Sequence, residues 1–244
     1  MSYRRSLAAL SLFLFCLTAC TEARAQADER ERAVAEAESL REQIKLKGPA
    51  LLSVPAEDRE RHAEFLARPE TGLVRLLPRE KWDNVLATRG GGSCYSFHAL
   101  THEYGDTSDI GLEQERFRVG FHGADFGFIN LVGDAPLEEV TLEHPSVVFL
   151  ASYVPPGTRA EVDKLWATYA SAGLRSGEYV YRHSLPAQAG KTYVLRSVSY
   201  GDADTLVAFR VLRKDSDGSY VLLWKTLKKF PKPLLGRTVA AAGQ

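Results

Sequence analysis

Three closely spaced β-rich runs near the C-terminal end constrain the fold of this 244-residue chain more than any other feature. They cover residues 192–200, 206–213 and 220–227 and are rich in Val, Leu, Tyr and Phe, which suit a pleated, half-buried surface. Residues 201–204 and 215–218 connect them, and the second connection ends in Asp-Gly, a favoured hairpin pair. Connections this short join antiparallel neighbours, so the sequence predicts a β-meander.

One amphipathic helix is predicted before the meander. Thr158 and Glu161 have the spacing of a capping box, and Gly173 ends the pattern. One face carries bulky apolar residues, namely Val162, Leu165, Trp166, Tyr169 and Ala170. Because this stripe is broad, we expect the helix to lie across a sheet. The predicted core contains Val162, Leu165, Trp166, Phe209 and Leu222.

Short apolar runs broken by turn residues predict five further strands upstream. The candidate strands are residues 73–77, 93–99, 117–122, 127–132 and 147–154. The third and fourth flank residues 123–125, where a glycine predicts a hairpin. Residues 28–44 and 56–67 predict charged helices.

The predicted fold class is therefore α+β, with a mainly antiparallel β-sheet, one packed amphipathic helix and N-terminal charged helices. A single α+β domain is predicted at residues 70–230. It is preceded by a helical extension over residues 20–69 and followed by a tail over residues 231–244.

The N-terminal segment has the pattern of an export signal. Arg4 and Arg5 precede an uncharged apolar run over residues 7–17, which is too short to span a bilayer. The run ends in Leu17-Thr18-Ala19-Cys20, which resembles the lipobox of bacterial lipoprotein precursors. The resemblance covers the signal segment alone. It implies a signal peptide over residues 1–19 and acylation of Cys20 by a diacylglyceryl group and a fatty acid such as palmitate.

The expected partner of acylated Cys20 is the lipid bilayer, because two or more acyl chains anchor a protein far better than one. Thr21 stands where an Asp retains many similar lipoproteins in the inner membrane, which favours the outer membrane of a Gram-negative envelope. An alternative cut after Ala23-Arg24-Ala25 would release a secreted protein that begins at Gln26.

Charge and cysteine content exclude further classes. Removing Arg4 and Arg5 from the 31 basic residues leaves 29, against 31 acidic ones, so charge gives no reason to expect nucleic acid. Cys16 leaves with the signal and Cys20 carries lipid. The domain therefore retains Cys94 alone and forms no internal disulfide.

Candidate chemistry gathers between residues 89 and 109. The glycine triplet at 90–92 lacks the lysine of a P-loop and predicts a turn. Cys94, His98, His102 and Glu103 are the candidate catalytic residues, since a thiolate beside an imidazole is a nucleophile arrangement. His98 and His102 could share a helix face around zinc, with Glu103, Asp106 and Asp109 following. None of these carboxylates is a specific third ligand and Gly105 would soon end the helix, so we predict no metal and no cofactor.

Two functions follow from these patterns. The leading hypothesis is an exported, membrane-anchored lipoprotein of the cell envelope that binds a protein or small-molecule ligand, or acts structurally, and is not an enzyme. The alternative is a cell-envelope hydrolase that uses Cys94 or the pair His102 and Glu103. Burial of Cys94 and His102 would favour the first, and their exposure in a shared pocket would favour the second.

Overall fold

The computed structural model describes residues 24, 26, 28–43, 48–102, 104–121 and 125–236. The chain divides into two compact units, residues 1–47 and 48–244. In the first unit, residues 28–43 are helical and exposed. Among the described residues, no helix combines the length and the apolar character needed to cross a bilayer. The predicted signal segment, Cys20, Glu103 and residues 122–124 lie outside the described residues.

Three sheets build the second unit. The five-stranded sheet has the order β1-β11-β10-β9-β5. Its strands are β1 (Thr71–Leu76), β5 (Phe126–Gly133), β9 (Thr192–Ser199), β10 (Ala203–Lys214) and β11 (Tyr220–Lys229). The four-stranded sheet, in the order β2-β3-β4-β8, contains β2 (Cys94–Tyr95), β3 (Ile110–Glu113), β4 (Arg116–Arg118) and β8 (Ser184–Pro186). A small hairpin pairs β6 (Leu174–Ser176) with β7 (Tyr179–Tyr181). All these pairings are antiparallel, and β9–β11 form the predicted meander.

Five α-helices with defined ends belong to the described part of the second unit. They are α1 (Ala56–Arg61), α2 (Ala63–Leu66), α3 (Arg79–Trp82), α4 (Pro145–Ser152) and α5 (Arg159–Ala172). Residues 48–52 are also helical, and short 3-10 turns occupy Arg89–Gly92 and Leu137–Glu139. The helix predicted over residues 56–67 is thus two short helices, which meet at His62, where φ is −108°.

Both faces of the five-stranded sheet are buried. On one face, Tyr193 and Phe209 pack with Phe117 of the four-stranded sheet. On the other face, Val194 and Ala208 belong to a cluster that includes residues of α4 and α5. A central strand that is covered on both faces buries its side chains on both sides, and all eight residues of β9 are buried. The predicted α+β fold class is confirmed.

Helix α5 begins as predicted, but its fully buried face is narrower than predicted. The Thr158 hydroxyl accepts from the Glu161 amide and the Glu161 carboxylate accepts from the Thr158 amide, which completes the capping box. Val162 and Tyr169 are buried, whereas Leu165 and Trp166 are only half-buried. Phe209 and Leu222 lie in the core, as predicted. Leu165 and Trp166 were also predicted there, but they pack against the core and are only partly buried.

The strand predicted at residues 147–154 is wrong, because this segment is the helix α4. Pro145 occupies its first turn and His144 caps it, with Nδ1 accepting from the Ser146 amide at 3.3 Å. Ser146, Val147 and Leu150 are buried. A short run that is apolar on all sides carries no helical period, so periodicity could not separate helix from strand here.

The predicted hairpin around residues 123–125 is also wrong. Strand β4 pairs with β3 and β8, whereas β5 pairs with β9 in the other sheet. Gly120 has φ of 76°, and a Cβ there would lie 2.9 Å from the Phe126 Cα. The two runs therefore approach closely at a glycine and pass into different layers.

The segments that flank the predicted domain pack onto it. Arg213 Nη1 lies 2.6 Å from both carboxylate oxygens of Asp58 in α1. At the other end, the Gly201 amide donates to the Pro233 carbonyl at 2.8 Å, and the Gly236 amide donates to the Gly157 carbonyl at 2.7 Å. The compact unit therefore extends beyond residues 70–230 at both ends.

Candidate functional site

The glycine triplet predicted as a turn has a structural role. Gly90, Gly91 and Gly92 have φ of 75°, 62° and 74°, in the left-handed region that glycine tolerates best. A Cβ on Gly91 would lie 2.3 Å from the Trp82 carbonyl carbon, and one on Gly92 would lie 2.3 Å from Leu52. The three glycines allow the backbone to turn against α3, so close packing accounts for them.

Cys94 is 1% exposed within the core. Burial raises the pKa of its thiol, and a weak contact between Sγ and the Ser93 hydroxyl at 3.6 Å opposes that shift. A reactive cysteine needs exposure and a lowered pKa. The environment of Cys94 has neither property.

The histidines near Cys94 do not form a site with it. His98 is exposed, whereas His102 is half-buried, with Nε2 3.0 Å from the Arg75 carbonyl and its ring packed on Tyr95. The loop between them is held by Asp109, which accepts from the Phe97 amide at 2.7 Å. Glu103 is outside the described residues. No three His, Cys, Asp or Glu side chains among the described residues are grouped to hold a metal ion.

A basic groove lies between the four-stranded sheet and the C-terminal turn of α5. We define the basic groove by Glu113, Arg116, Arg118, Arg182, His183 and Ser184. Tyr169 and Ala170 of α5 and Leu185 of β8 supply its apolar surface. Its volume is about 470 Å³. Pockets of roughly 300–1,000 Å³ with an apolar body and a few polar groups are typical of small-ligand sites.

The sheet places two of the arginines on one face. Phe117 points into the core, so its neighbours Arg116 and Arg118 both point outward, as alternation along a strand requires. Arg116 is fixed on β8, where Nε donates to the Ser184 hydroxyl at 3.0 Å and Nη2 donates to the Ser184 carbonyl at 3.3 Å. Ser184 is also the register partner of Arg118, so the bonds of Arg116 bring its guanidinium toward Arg118.

Arg182 and His183 approach the groove from the segment before β8. The Arg182 backbone forms a two-way bridge with Ile129 of β5, and Nη1 lies 3.5 Å from the Ser171 carbonyl at the end of α5. The His183 ring packs against Trp166 and Tyr169, with ring centroids 5.9 and 6.2 Å away. Contacts with β5 and α5 thus hold Arg182 and His183 at the groove.

The electrostatics of the groove are strongly positive. Burial lowers the pKa of His183, and Arg118, Arg116 and Arg182 lower it further by charge repulsion. Among the described residues that line the groove, Glu113 is the one acidic residue, and it pairs with Arg118. Within the described part of the chain, the hydrogen bonds of Arg116 use Nε and Nη2 and that of Arg182 uses Nη1, so Arg116 Nη1 and Arg182 Nη2 contact no protein acceptor. Unpaired guanidinium donors in a concave surface are suited to binding an anion.

The patterns in the sequence did not predict this site. Its signal was the pattern Arg116-Phe117-Arg118, which places two guanidiniums on the outer face of any strand. The contribution of Arg182 and His183 could not be read from the sequence, because it depends on β8 pairing with β4.

A second, apolar pocket of about 330 Å³ lies between residues 153–157 and 230–234. Arg196 lines its floor but is already satisfied by Asp204 and two backbone carbonyls. The guanidinium of Arg196 therefore has no free donor group to offer a ligand in this pocket, in contrast with the arginines of the basic groove.

Comparisons with known proteins add no relative. No family model matches the chain, and searches of curated proteins and of solved structures find no match.

Proposed function

We propose that this chain is an exported, lipid-anchored binding protein of the cell envelope, that it is not an enzyme, and that its ligand occupies the basic groove. The observation that carries the proposal is the contrast between two regions. Cys94 and His102 are held in packed, satisfied surroundings, whereas the basic groove presents unpaired donors in a concavity of metabolite size. The lipid anchor rests on the lipobox-like sequence that ends in Cys20.

The anchor is tested by mass spectrometry of the membrane fraction. We expect a mature N-terminus at Cys20 that carries acyl chains, and we expect Cys20→Ala to remove the lipid and release the protein from membranes. A mature N-terminus at Gln26 would contradict the anchor.

Ligand binding in the groove is tested by a thermal-shift screen of small acids, amines and neutral compounds. Ala170→Trp would fill the groove, whereas Ala167→Trp places the same ring on an exposed helix position outside it. We expect compounds that stabilise the wild-type protein and the Ala167→Trp variant, but not the Ala170→Trp variant. If every stabilising compound acts equally on both variants, the groove is not the binding site.

The hydrolase alternative predicts fast alkylation of Cys94 by iodoacetamide in the folded protein near neutral pH. The proposed function predicts slow alkylation that becomes fast only on unfolding, because burial both shields the thiol and keeps it protonated.

A further inference from the structure

We infer that the ligand of the basic groove is a compact dianion of the phosphate-monoester class, and that it binds by displacing Glu113 from Arg118. This inference rests on the proposed function, because it names the ligand of the same groove. It is carried by the charges that line the groove and by the one internal anion already present there.

The charges that line the groove favour a dianion. Of the residues that the structure describes, three arginines and one glutamate line it, which leaves an excess of two positive charges. His183 adds no fixed charge near neutral pH, because burial and the three arginines lower its pKa. If the ligand displaces Glu113, a monoanion only replaces the charge of that carboxylate, whereas a dianion neutralises two of the three guanidinium charges.

Glu113 shows where an anion binds. It is the register partner of Arg116 on the adjacent strand, and its carboxylate pairs with Arg118, two residues further along the same face. The Glu113 carboxylate therefore occupies the position beside Arg118 that a ligand anion would take, while the guanidinium of Arg116 is bonded to Ser184 on the other side of β4. The side chains of Glu113 and Arg118 are 30% and 48% exposed, so the pair is open to exchange.

The ion pair of Glu113 and Arg118 argues against simple monocarboxylates as ligands of the groove. A tethered carboxylate competes with an effective concentration on the order of millimolar. A free monocarboxylate would replace Glu113 by an identical group and gain nothing. A phosphate monoester has three acceptor oxygens and nearly two charges near neutral pH, so it can accept from Arg118 and still offer oxygens to a second guanidinium of the groove.

The arrangement is costly unless a ligand uses it. Like charges gathered on one face repel each other and destabilise the folded state. Arg182 has no carboxylate partner among the described residues, and the only polar contact of its guanidinium there is the long one to the Ser171 carbonyl. Repulsion of this kind is typical of binding surfaces, where stability is lost in favour of recognition.

Calorimetric titration of the full-length protein in detergent tests the inference at pH 7.5. Phenyl phosphate is the dianionic probe and benzoate is the monoanionic one, with the same ring. We expect phenyl phosphate to bind wild-type protein at least tenfold more tightly than benzoate. Arg182→Gln should weaken phenyl phosphate binding by roughly tenfold or more, since a charged partner of the ligand is lost. Arg118→Gln is the second variant, in case the first does not fold.

Glu113→Gln distinguishes displacement from simple attraction. The amide keeps the shape of the side chain but competes weakly for Arg118, so phenyl phosphate binding should tighten severalfold. Arg175→Gln is the matched control, because Arg175 is exposed in β6 and lies outside the groove. It removes the same charge and should leave the affinity nearly unchanged.

An experiment with lipid vesicles distinguishes a phosphate-bearing lipid from a soluble phosphate monoester. Flotation with phosphatidylcholine vesicles containing phosphatidic acid is compared for wild-type protein and the Arg182→Gln variant. Flotation that depends on Arg182 indicates a phosphate-bearing lipid, whereas binding of phenyl phosphate alone indicates a soluble monoester. Either result supports the ligand class.

Three results would overturn the inference. They are equal affinity for benzoate and phenyl phosphate, an effect of Arg175→Gln as large as that of Arg182→Gln, and unchanged or weaker binding in Glu113→Gln. If uncharged compounds stabilise the protein and lose this effect in Ala170→Trp, the proposed function stands and the ligand class is wrong. If no compound of any charge depends on Ala170, the proposed function itself fails.

Discussion

The Arg196 guanidinium donates to both carboxylate oxygens of Asp204, at 2.8 Å to Oδ1 and 2.7 Å to Oδ2. The two side chains are 1% and 2% exposed. Nη1 also donates to the carbonyls of Leu150 and Tyr153, at 2.6 and 2.7 Å, and the guanidinium lies 3.5 Å from the Phe230 ring centroid. One buried ion pair thus joins β9 and β10 to the end of α4 and to the C-terminal segment.

Asp204→Asn should therefore be severely destabilising. Removing one partner leaves a buried guanidinium uncompensated, which costs about 3–5 kcal/mol of unfolding free energy. Urea denaturation followed by circular dichroism measures the change. Asp163→Asn is the control, because its pair with Arg159 is exposed and contributes little. A similar small loss in both variants would show that the buried pair does not hold these segments together.

The narrow buried face of α5 gives a second prediction. Tyr169 is buried and its hydroxyl donates to the Gly127 carbonyl at 2.9 Å, whereas Trp166 is only half-buried. We expect Tyr169→Ala to cost about 3–5 kcal/mol, as other buried aromatic truncations do, and Trp166→Ala to cost distinctly less. Denaturant midpoints of the two variants decide the order. The reverse order would show that Trp166 is a principal core residue, as the sequence predicted.

The glycine turn before β2 gives a third prediction. Gly91 and Gly177 have similar positive φ, 62° and 59°, but only Gly91 has neighbours where a Cβ would stand. Gly177→Ala should cost about 1–2 kcal/mol from backbone strain alone. Gly91→Ala adds a backbone clash with Trp82 and should cost clearly more or prevent folding. Thermal unfolding of both variants measures this, and equal losses would mean that close packing is not the reason for the triplet.

Two histidines give the fold a pH dependence with a defined sign. Burial lowers the pKa of both His102 and His183, with arginine repulsion adding to the effect at His183. The unfolded state therefore binds protons more readily, so stability should fall as pH drops from about 6.5 toward the lowered pKa values. His183→Gln should flatten part of this loss. An NMR titration that places the His183 pKa above 6.5 would show that burial and arginine repulsion do not control its protonation.

The sequence predicted those elements whose signals are local. The capping box of α5 and the meander β9–β11 rely on residues close together in the chain, and both are present. Helix α4 was missed because its run is apolar on all sides. The pairing of β4 with β8 joins segments about 70 residues apart, and no local pattern encodes it.

The candidate site also depends on contacts between distant segments, which local patterns in the sequence do not show. Residues 89–109 stood out because glycines, a thiol and histidines are conspicuous in a sequence, yet packing accounts for Gly90–Gly92 and Cys94. The basic groove collects ordinary arginines from distant segments, so only the fold makes it visible.

Chemical-shift mapping with phenyl phosphate determines whether the basic groove is the binding site. In ¹⁵N-labelled protein, we predict the largest amide and guanidinium shifts at residues 113–118 and 182–186, with a rise in the pKa of His183 as the bound anion offsets the arginines. Largest shifts at residues 153–157 and 230–234, or no saturable shifts anywhere, would contradict the account.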